Sequence, residues 1–211
     1  EKKILGVFSS RHTFNDKTEE ELKEAGLKNY NPTAPTIAEM TKFAIEFLSR
    51  KGQFFLVSEE EGTDNFGNKN NANGKLEALN NADEAIGYAI EFINKNPNTL
   101  LVTASDSEAG GLEVAGYEID NLEINKPLPE KDFNGSPLDG IYGTASIPFV
   151  SAPDKNGKRF PFAIAWSTLG DVSGSVVARA HGLNSEKMKG KIDNTDIYRI
   201  IYLTLFGKWI N

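Results

Sequence analysis

The chain has no cysteine and only two histidines among its 211 residues. It can therefore form no disulfide, no thiolate zinc site and no cysteine nucleophile. His12 lies in a polar segment and His181 follows a predicted strand, so each is expected to be a surface residue rather than a ligand. There is also no GxSxG nucleophile elbow and no GxxxxGK[ST] phosphate loop. These absences argue against zinc–sulfur chemistry, a Ser-His elbow and a P-loop.

The sequence also lacks a basic patch and a long apolar run. Its formal net charge is -7, which argues against nucleic acid as a partner. No apolar stretch approaches the roughly 18 residues of a transmembrane helix. The apolar run at residues 4–8 is much shorter than that of a signal peptide. With 39% hydrophobic residues, the chain is predicted to form a single globular domain over residues 1–211, with no membrane segment.

Short apolar runs alternate with helical patterns along the chain, which predicts an α/β fold. Strands are predicted at residues 4–8, 54–57, 99–104, 160–166 and 175–180. Helices are predicted at residues 17–25, from Thr36 to about 49, at 75–96, and after Asp193. The segment at about 114–158 is rich in Pro, Gly, Asn and Asp, and it is expected to be an irregular insertion, either a small subdomain over the site or a plain excursion.

Polar side chains follow three of the predicted strands. Glu59, Asp64 and Asn68 follow the first, and Asp106, Ser107 and Glu108 follow the second, while Asp171 follows the strand that ends at residue 166. Clustered carboxylates repel one another, and a bound cation relieves that repulsion. Oxygen donors suit Mg²⁺ or Ca²⁺ better than Zn²⁺. An EF-hand is excluded because Lys75 stands at the twelfth position counted from Asp64. A solvated acidic turn stays open as the alternative.

Four blocks in order resemble the C-terminal portion of the alkaline phosphatase family. They are LGVF, PTIAEMTKFAIEFLSRKGQFFLVSE, LEALNNADEAIGYAIEFINKNPNTLLVTASDSEAGG, and the region from FAIAW to IDNTDIYRIIYLTLFG. The resemblance implies part of a three-layer sandwich with a central, mostly parallel sheet flanked by helices. It also implies a metal-dependent phosphomonoesterase that is located in the periplasm or outside the cell and forms a homodimer.

Site residues carry over from the resemblance one by one. Glu59 takes the place of the family's magnesium glutamate and Asp64 that of its zinc aspartate, while Asn68 stands where a zinc histidine is expected. Asp106 and Ser107 replace an Asp-His pair. Asp171 is the nearest donor at the last histidine position. Because all three zinc histidines are replaced, we expect Mg²⁺ or Ca²⁺ rather than Zn²⁺.

The family's serine nucleophile, first metal aspartate and phosphate-binding arginine lie in an N-terminal half that no part of this chain resembles. We therefore expect a C-terminal portion that is inactive alone, acts on phosphate monoesters in the intact protein, and is completed by a missing N-terminal segment. The alternatives are a non-catalytic metal- or ligand-binding relative, or a fragment with no function of its own.

Overall fold

The computed structural model describes residues 3–8, 11–116, 119 and 122–210. The helices are α1 (Glu19–Ala25), α2 (Ile37–Ser49), α3 (Gly62–Asn68), α4 (Ala72–Lys95) and α5 (Asn194–Phe206), with a 3₁₀ turn at Ser185–Lys187. The strands are β1 (Leu100–Thr103), β2 (Glu108–Ala109), β3 (Leu112–Ala115), β4 (Leu138–Gly140), β5 (Gly143–Thr144), β6 (Phe149–Val150), β7 (Pro161–Trp166), β8 (Asp171–Val172) and β9 (Arg179–Gly182). None of the described helices is long and apolar enough to cross a membrane.

Two compact units divide the chain. The first comprises Glu1–Thr36, Glu59–Asn81 and Ser107–Gly174, and the second comprises Ile37–Ser58, Ala82–Asp106 and Ser175–Asn211. Helix α4 begins in the first unit and ends in the second.

The first unit is built around β7. This strand pairs with β3, β4 and β6, and β4 pairs in turn with β5. Successive side chains of a strand point to opposite faces of the sheet. Accordingly, Ala163 and Ala165 pack with Leu138 in one cluster, whereas Ile164 and Trp166 belong to another. Apolar residues on both faces make β7 the centre of this unit.

Helix α3 is held in the first unit by Phe66, which is fully buried. The ring of Phe66 lies 5.2 Å from that of Phe14 and 6.1 Å from that of Tyr30, measured between centroids. Gly74 of α4 faces the same ring, and a Cβ atom there would lie 2.5 Å from Phe66. This packing fixes the helix that carries two of the predicted site residues.

The second unit contains the β1–β9 pair and the helices α2 and α5. Ile37 and Ala38 of α2 pack against Ala85 of α4. Helix α5 begins with a capping box in which the Asp193 carboxylate accepts from the backbone N–H of Thr195, and Asp196 accepts from that of Asp193. The helices α2 and α5 and the strands β1 and β7 lie where the sequence predicted them, to within one residue or so at each end.

The strands predicted at residues 4–8 and 54–57 do not form. Both segments have neither helix nor strand assignment, and their side chains are largely exposed, as at Leu5 (87%) and Val57 (75%). A strand requires a partner for its backbone groups, and neither segment pairs with another described strand. All pairings among the described residues are antiparallel, so the expected mostly parallel sheet is not seen there.

The Gly/Asn-rich stretch predicted to be a loop contains α3, and α4 begins at Ala72 rather than at residue 75. Asn71 explains the earlier start, because its Oδ1 accepts from the backbone N–H of Gly74 at 2.6 Å in the first helical turn. The last predicted strand is displaced to β9, which begins at Arg179. The segment at about 114–158 supplies the strands β4, β5 and β6 of the first unit.

Candidate functional site

Three of the predicted site residues meet in the first unit. Asp64 and Asn68 lie four residues apart in α3, so their side chains share one face of the helix. Asn68 Nδ2 donates to Asp171 Oδ1 at 2.9 Å and to the two carboxylate oxygens of Asp64 at 3.3 and 3.2 Å. One amide group therefore bridges two carboxylates that are 107 positions apart in the numbering of the chain. We call Asp64, Asn68 and Asp171 the amide-bridged cluster.

Strand pairing explains how Asp171 reaches α3. Asp171 begins β8, which pairs with β2 so that Asp171 lies opposite Ala109. Gly67 of α3 approaches the same point, since a Cβ atom on Gly67 would lie 2.6 Å from the carbonyl oxygen of Ala109. Glycine is therefore required at this contact between α3 and β2.

The side-chain oxygen of Asn68 has no hydrogen-bond partner among the described residues. Asn68 Oδ1 is buried and accepts no hydrogen bond. A buried polar atom without a partner typically costs about 1–3 kcal/mol. The amide group thus directs its hydrogens to the two carboxylates and leaves its best metal-ligating atom unused.

A cation lies near the amide-bridged cluster. Lys75 Nζ donates to the carbonyl oxygen of Ala109 at 2.7 Å. Burial lowers the pKa of Lys75, and the charges of Glu108, Asp64 and Asp171 oppose that fall. The negative charge of this site is therefore partly balanced by the protein itself.

Glu59 is exposed, whereas the neighbouring Glu60 is half-buried. Glu60 Oε1 accepts from Tyr30 Oη at 2.7 Å and from the backbone N–H of Gly62 at 3.0 Å. Burial raises the pKa of Glu60, and these two hydrogen bonds lower it. Three consecutive glutamates, Glu59, Glu60 and Glu61, stand here in the sequence, and no local pattern distinguishes Glu60 from the other two.

Asp106 and Ser107 fall at the boundary between the two units. Asp106 is an exposed residue of the second unit, and Ser107 is a half-buried residue that directly precedes β2 in the first. Their roles as ligands stay predictions.

Two carboxyl groups were not identified from the sequence, the half-buried Glu19 and the fully buried Asp139. Burial raises the pKa of Glu19 to about 8. Burial also raises the pKa of Asp139 to about 6, although Trp166 and Thr144 donate to it at 2.7 and 2.9 Å. The apolar run of β7, which contains Trp166, indicated the core but gave no sign of its carboxylate partner.

A cavity of about 400 Å³ opens in the first unit. Its lining includes Lys69 and Asn70, which follow Asn68 in sequence, and residues 167–169, which precede Asp171. The cavity therefore gives this part of the unit room for a small molecule.

The donor atoms decide which metal these residues suit. Within the described ranges, no group of three or more histidine, cysteine, aspartate or glutamate side chains is arranged to hold a metal ion. The amide-bridged cluster offers two carboxylates, and rotation of the Asn68 side chain would add one amide oxygen. Mg²⁺ is often held by one or two carboxylates together with water, whereas Zn²⁺ favours nitrogen and sulfur. The cluster therefore offers oxygen donors only, which is the donor type that hard divalent cations prefer.

Comparison with known proteins identifies the family. The family model described as alkaline phosphatase matches residues 1–206, and the chain belongs to this family. Alkaline phosphatase 3 of Bacillus subtilis is 26% identical over 204 residues, an alignment that covers 81% of this chain and 44% of the relative. Alkaline phosphatase of Escherichia coli K12 is 38% identical over 169 residues, covering 80% of this chain and 31% of the relative.

Solved structures agree on the fold. Alkaline phosphatase from the Antarctic bacterium TAB5 matches with a TM-score of 0.57 and 27% identity, covering 80% of this chain and 40% of that one. A histidine-to-aspartate variant of the TAB5 enzyme, with Mg bound in its M3 site, has the same TM-score at 26% identity, covering 83% and 42%. The predicted family and α/β fold class are confirmed. The chain spans less than half the length of these relatives.

Proposed function

We propose that this chain is the C-terminal part of a metal-dependent phosphomonoesterase. The enzyme would transfer the phosphoryl group of a phosphate monoester to a serine in a segment outside this chain, and then to water. The observation that carries the proposal is the amide-bridged cluster, in which two acidic residues from separate segments share one amide group. By resemblance, Asp64 and Asn68 take the places of metal-binding residues of the family, and Asp171 is the donor nearest to the place of a third.

In this proposal, the carboxylates of Asp64 and Asp171 hold one hard cation, Mg²⁺ or Ca²⁺, with Oδ1 of Asn68 as a third ligand. The buried and unpartnered Oδ1 supports this role, because a half-turn of the amide would present it to the cation. Glu59, Asp106 and Ser107 are proposed as further ligands of the complete site. When bound, such a cation stabilises negative charge on phosphoryl oxygens and favours deprotonation of the attacking hydroxyl.

The partner of the chain in this proposal is the missing N-terminal segment. The stretches at residues 4–8 and 54–57 support this, because they are apolar, pair with no described strand, and expose side chains such as Leu5, Phe55 and Val57. Homodimer formation and a periplasmic or extracellular location stay predictions that rest on the resemblance.

The test is hydrolysis of p-nitrophenyl phosphate by the protein expressed from the complete coding sequence. After treatment with a chelator, the protein is assayed with Mg²⁺, Ca²⁺ or Zn²⁺. We expect activity with Mg²⁺ or Ca²⁺, and a loss of at least about tenfold in Asp171→Asn. Asp83→Asn, which removes the same charge from an exposed position of α4, is the control. Absence of hydrolysis with every cation contradicts the proposal.

A non-catalytic relative is the second candidate, and one observation favours it. Asn68 Nδ2 already hydrogen bonds to both carboxylates, so the cluster is held together without a metal. Calorimetric titration distinguishes the two candidates. Binding of Mg²⁺ or Ca²⁺ by a protein that does not hydrolyse the monoester supports the non-catalytic relative.

A further inference from the structure

Lys75 occupies an unusual place for a half-buried cation. It lies near the N-terminus of α4, a 24-residue helix with no acidic residue in its first turn. The positive end of a helix dipole disfavours a cation at this position. Burial also disfavours the charged form of Lys75. Two unfavourable effects therefore act on this ammonium group, and a compensating interaction is needed.

The compensation comes from the site itself. The ammonium group donates to the carbonyl oxygen of Ala109, the residue opposite Asp171 in the β2–β8 pair. Its charge interacts with Glu108, Asp64 and Asp171, which include both carboxylates of the amide-bridged cluster. Lys75 forms no ion pair within 4.0 Å in the part of the chain that the structure describes. It therefore acts on all three carboxylates through space rather than on one of them by contact.

The backbone leaves room for this arrangement. A Cβ atom on Gly67 would lie 2.8 Å from Lys75 Nζ. The lysine also lies with its Nζ 5.9 Å from the centroid of the buried Trp166 ring. Glycine on one side and an aromatic ring on the other hold the ammonium group beside the cluster.

We propose that the Lys75 ammonium group is the built-in counter-ion of the amide-bridged cluster. A hard divalent cation that binds there is therefore repelled by this positive charge, which weakens its binding. The repulsion between Lys75 and a bound divalent cation rests on the proposed function, whereas the role of Lys75 as counter-ion does not. The residue also gives the chain a way to keep its carboxylates together when no divalent cation is bound.

A double-mutant cycle tests the counter-ion without any metal. In the presence of a chelator, Lys75→Met removes this positive charge from beside the carboxylates, and we expect the Tm to fall by about 2–8 °C. Adding Asp171→Asn to that variant removes part of the repulsion, so the double variant should recover much of the loss. Lys126→Met combined with Asp171→Asn is the control, since Lys126 is an exposed partner of Glu123, and its effect should be additive. If the Tm changes of Lys75→Met and Asp171→Asn add up in the double variant, the counter-ion role of Lys75 is overturned.

Calorimetric titration of Mg²⁺ and Ca²⁺ tests the competition. We expect Lys75→Met to bind at least about tenfold more tightly than the wild type, because one unit of like charge is removed from the site. Lys75→Gln, which keeps an N–H donor for the Ala109 carbonyl, should behave in the same way if the methionine variant does not fold. Unchanged or weaker binding in these variants overturns the competition. If the Tm changes of Lys75→Met and Asp171→Asn are non-additive but no variant binds Mg²⁺ or Ca²⁺, the counter-ion role is supported and the competition with a divalent cation is overturned. Loss of phosphatase activity alone bears only on the proposed function.

Discussion

Glu19 should make the stability of this protein fall as the pH rises. Its carboxyl group accepts a hydrogen bond from the backbone N–H of Asn73 at 3.0 Å. Burial nevertheless raises its pKa from 4.5 to about 8, with the nearby charges of Asp139 and Glu20 as further causes. Below pH 4.5 the group is protonated in both the folded and the unfolded state, so it imposes no penalty. Between about pH 4.5 and 8 the folded state retains a proton that the unfolded state has released, so folding becomes less favourable with each pH unit.

The size of this effect follows from the pKa. Each pH unit within that window corresponds to about 1.36 kcal/mol, so the free energy of unfolding should fall by roughly 3–5 kcal/mol across it. Glu19→Gln removes the titrating group and keeps an oxygen to accept from Asn73. We expect this variant to lose that part of the pH dependence and to be more stable than the wild type at pH 8.

Urea unfolding at pH 5, 6, 7 and 8 measures the prediction. Glu24→Gln provides the matched control, because Glu24 is an exposed glutamate of the same helix. The control should leave the difference in unfolding free energy between pH 5 and pH 8 unchanged. If Glu19→Gln has the same pH dependence as the wild type, the reasoning from its burial is refuted.

Two further predictions concern glycine and the buried aspartate. Gly67→Ala should destabilise the protein by about 1–3 kcal/mol, because its Cβ atom would lie 2.6 Å from the backbone carbonyl oxygen of Ala109. Gly87→Ala in α4 has open space around it and should stabilise by about 0.5–1 kcal/mol, and equal effects in thermal unfolding would contradict this contrast. Asp139→Asn should cost about 1–3 kcal/mol and change the near-ultraviolet circular dichroism of Trp166, whose indole N–H it accepts, whereas an unchanged spectrum and Tm would count against the buried contact.

Local patterns predicted much of the candidate site. Asp64 and Asn68 are four residues apart, and any helix there brings them onto one face, although a loop was expected. The position of Asp171 after the apolar strand β7 was enough to name it. Its hydrogen bond to Asn68 depends on the β2–β8 pairing, which no local pattern encodes.

Lys75 shows why the rest could not be predicted. Lys75 begins the helix predicted at residues 75–96, and its only other role in the sequence analysis was to exclude an EF-hand. Its position near an N-terminal helix end, where lysine is unfavourable, was the available signal. That Lys75 binds the Ala109 carbonyl depends on packing between distant segments.

The prediction of strands at residues 4–8 and 54–57 was wrong for a related reason. Apolar character and β-propensity describe a segment that suits a half-buried sheet, but they do not supply the neighbouring strand. Antiparallel pairing around β7 likewise depends on contacts between residues far apart in sequence.

The proposed cation site is tested most directly by a crystal structure with Mn²⁺ as an anomalously scattering substitute for Mg²⁺. At saturating Mn²⁺, we expect an anomalous peak between the carboxylates of Asp64 and Asp171, at roughly 2.0–2.6 Å from an oxygen of each. The Asn68 amide should then be rotated so that Oδ1 faces the ion. A saturated crystal with no peak between these two carboxylates, and with Asn68 Nδ2 still donating to both, would show that the amide-bridged cluster does not bind the cation.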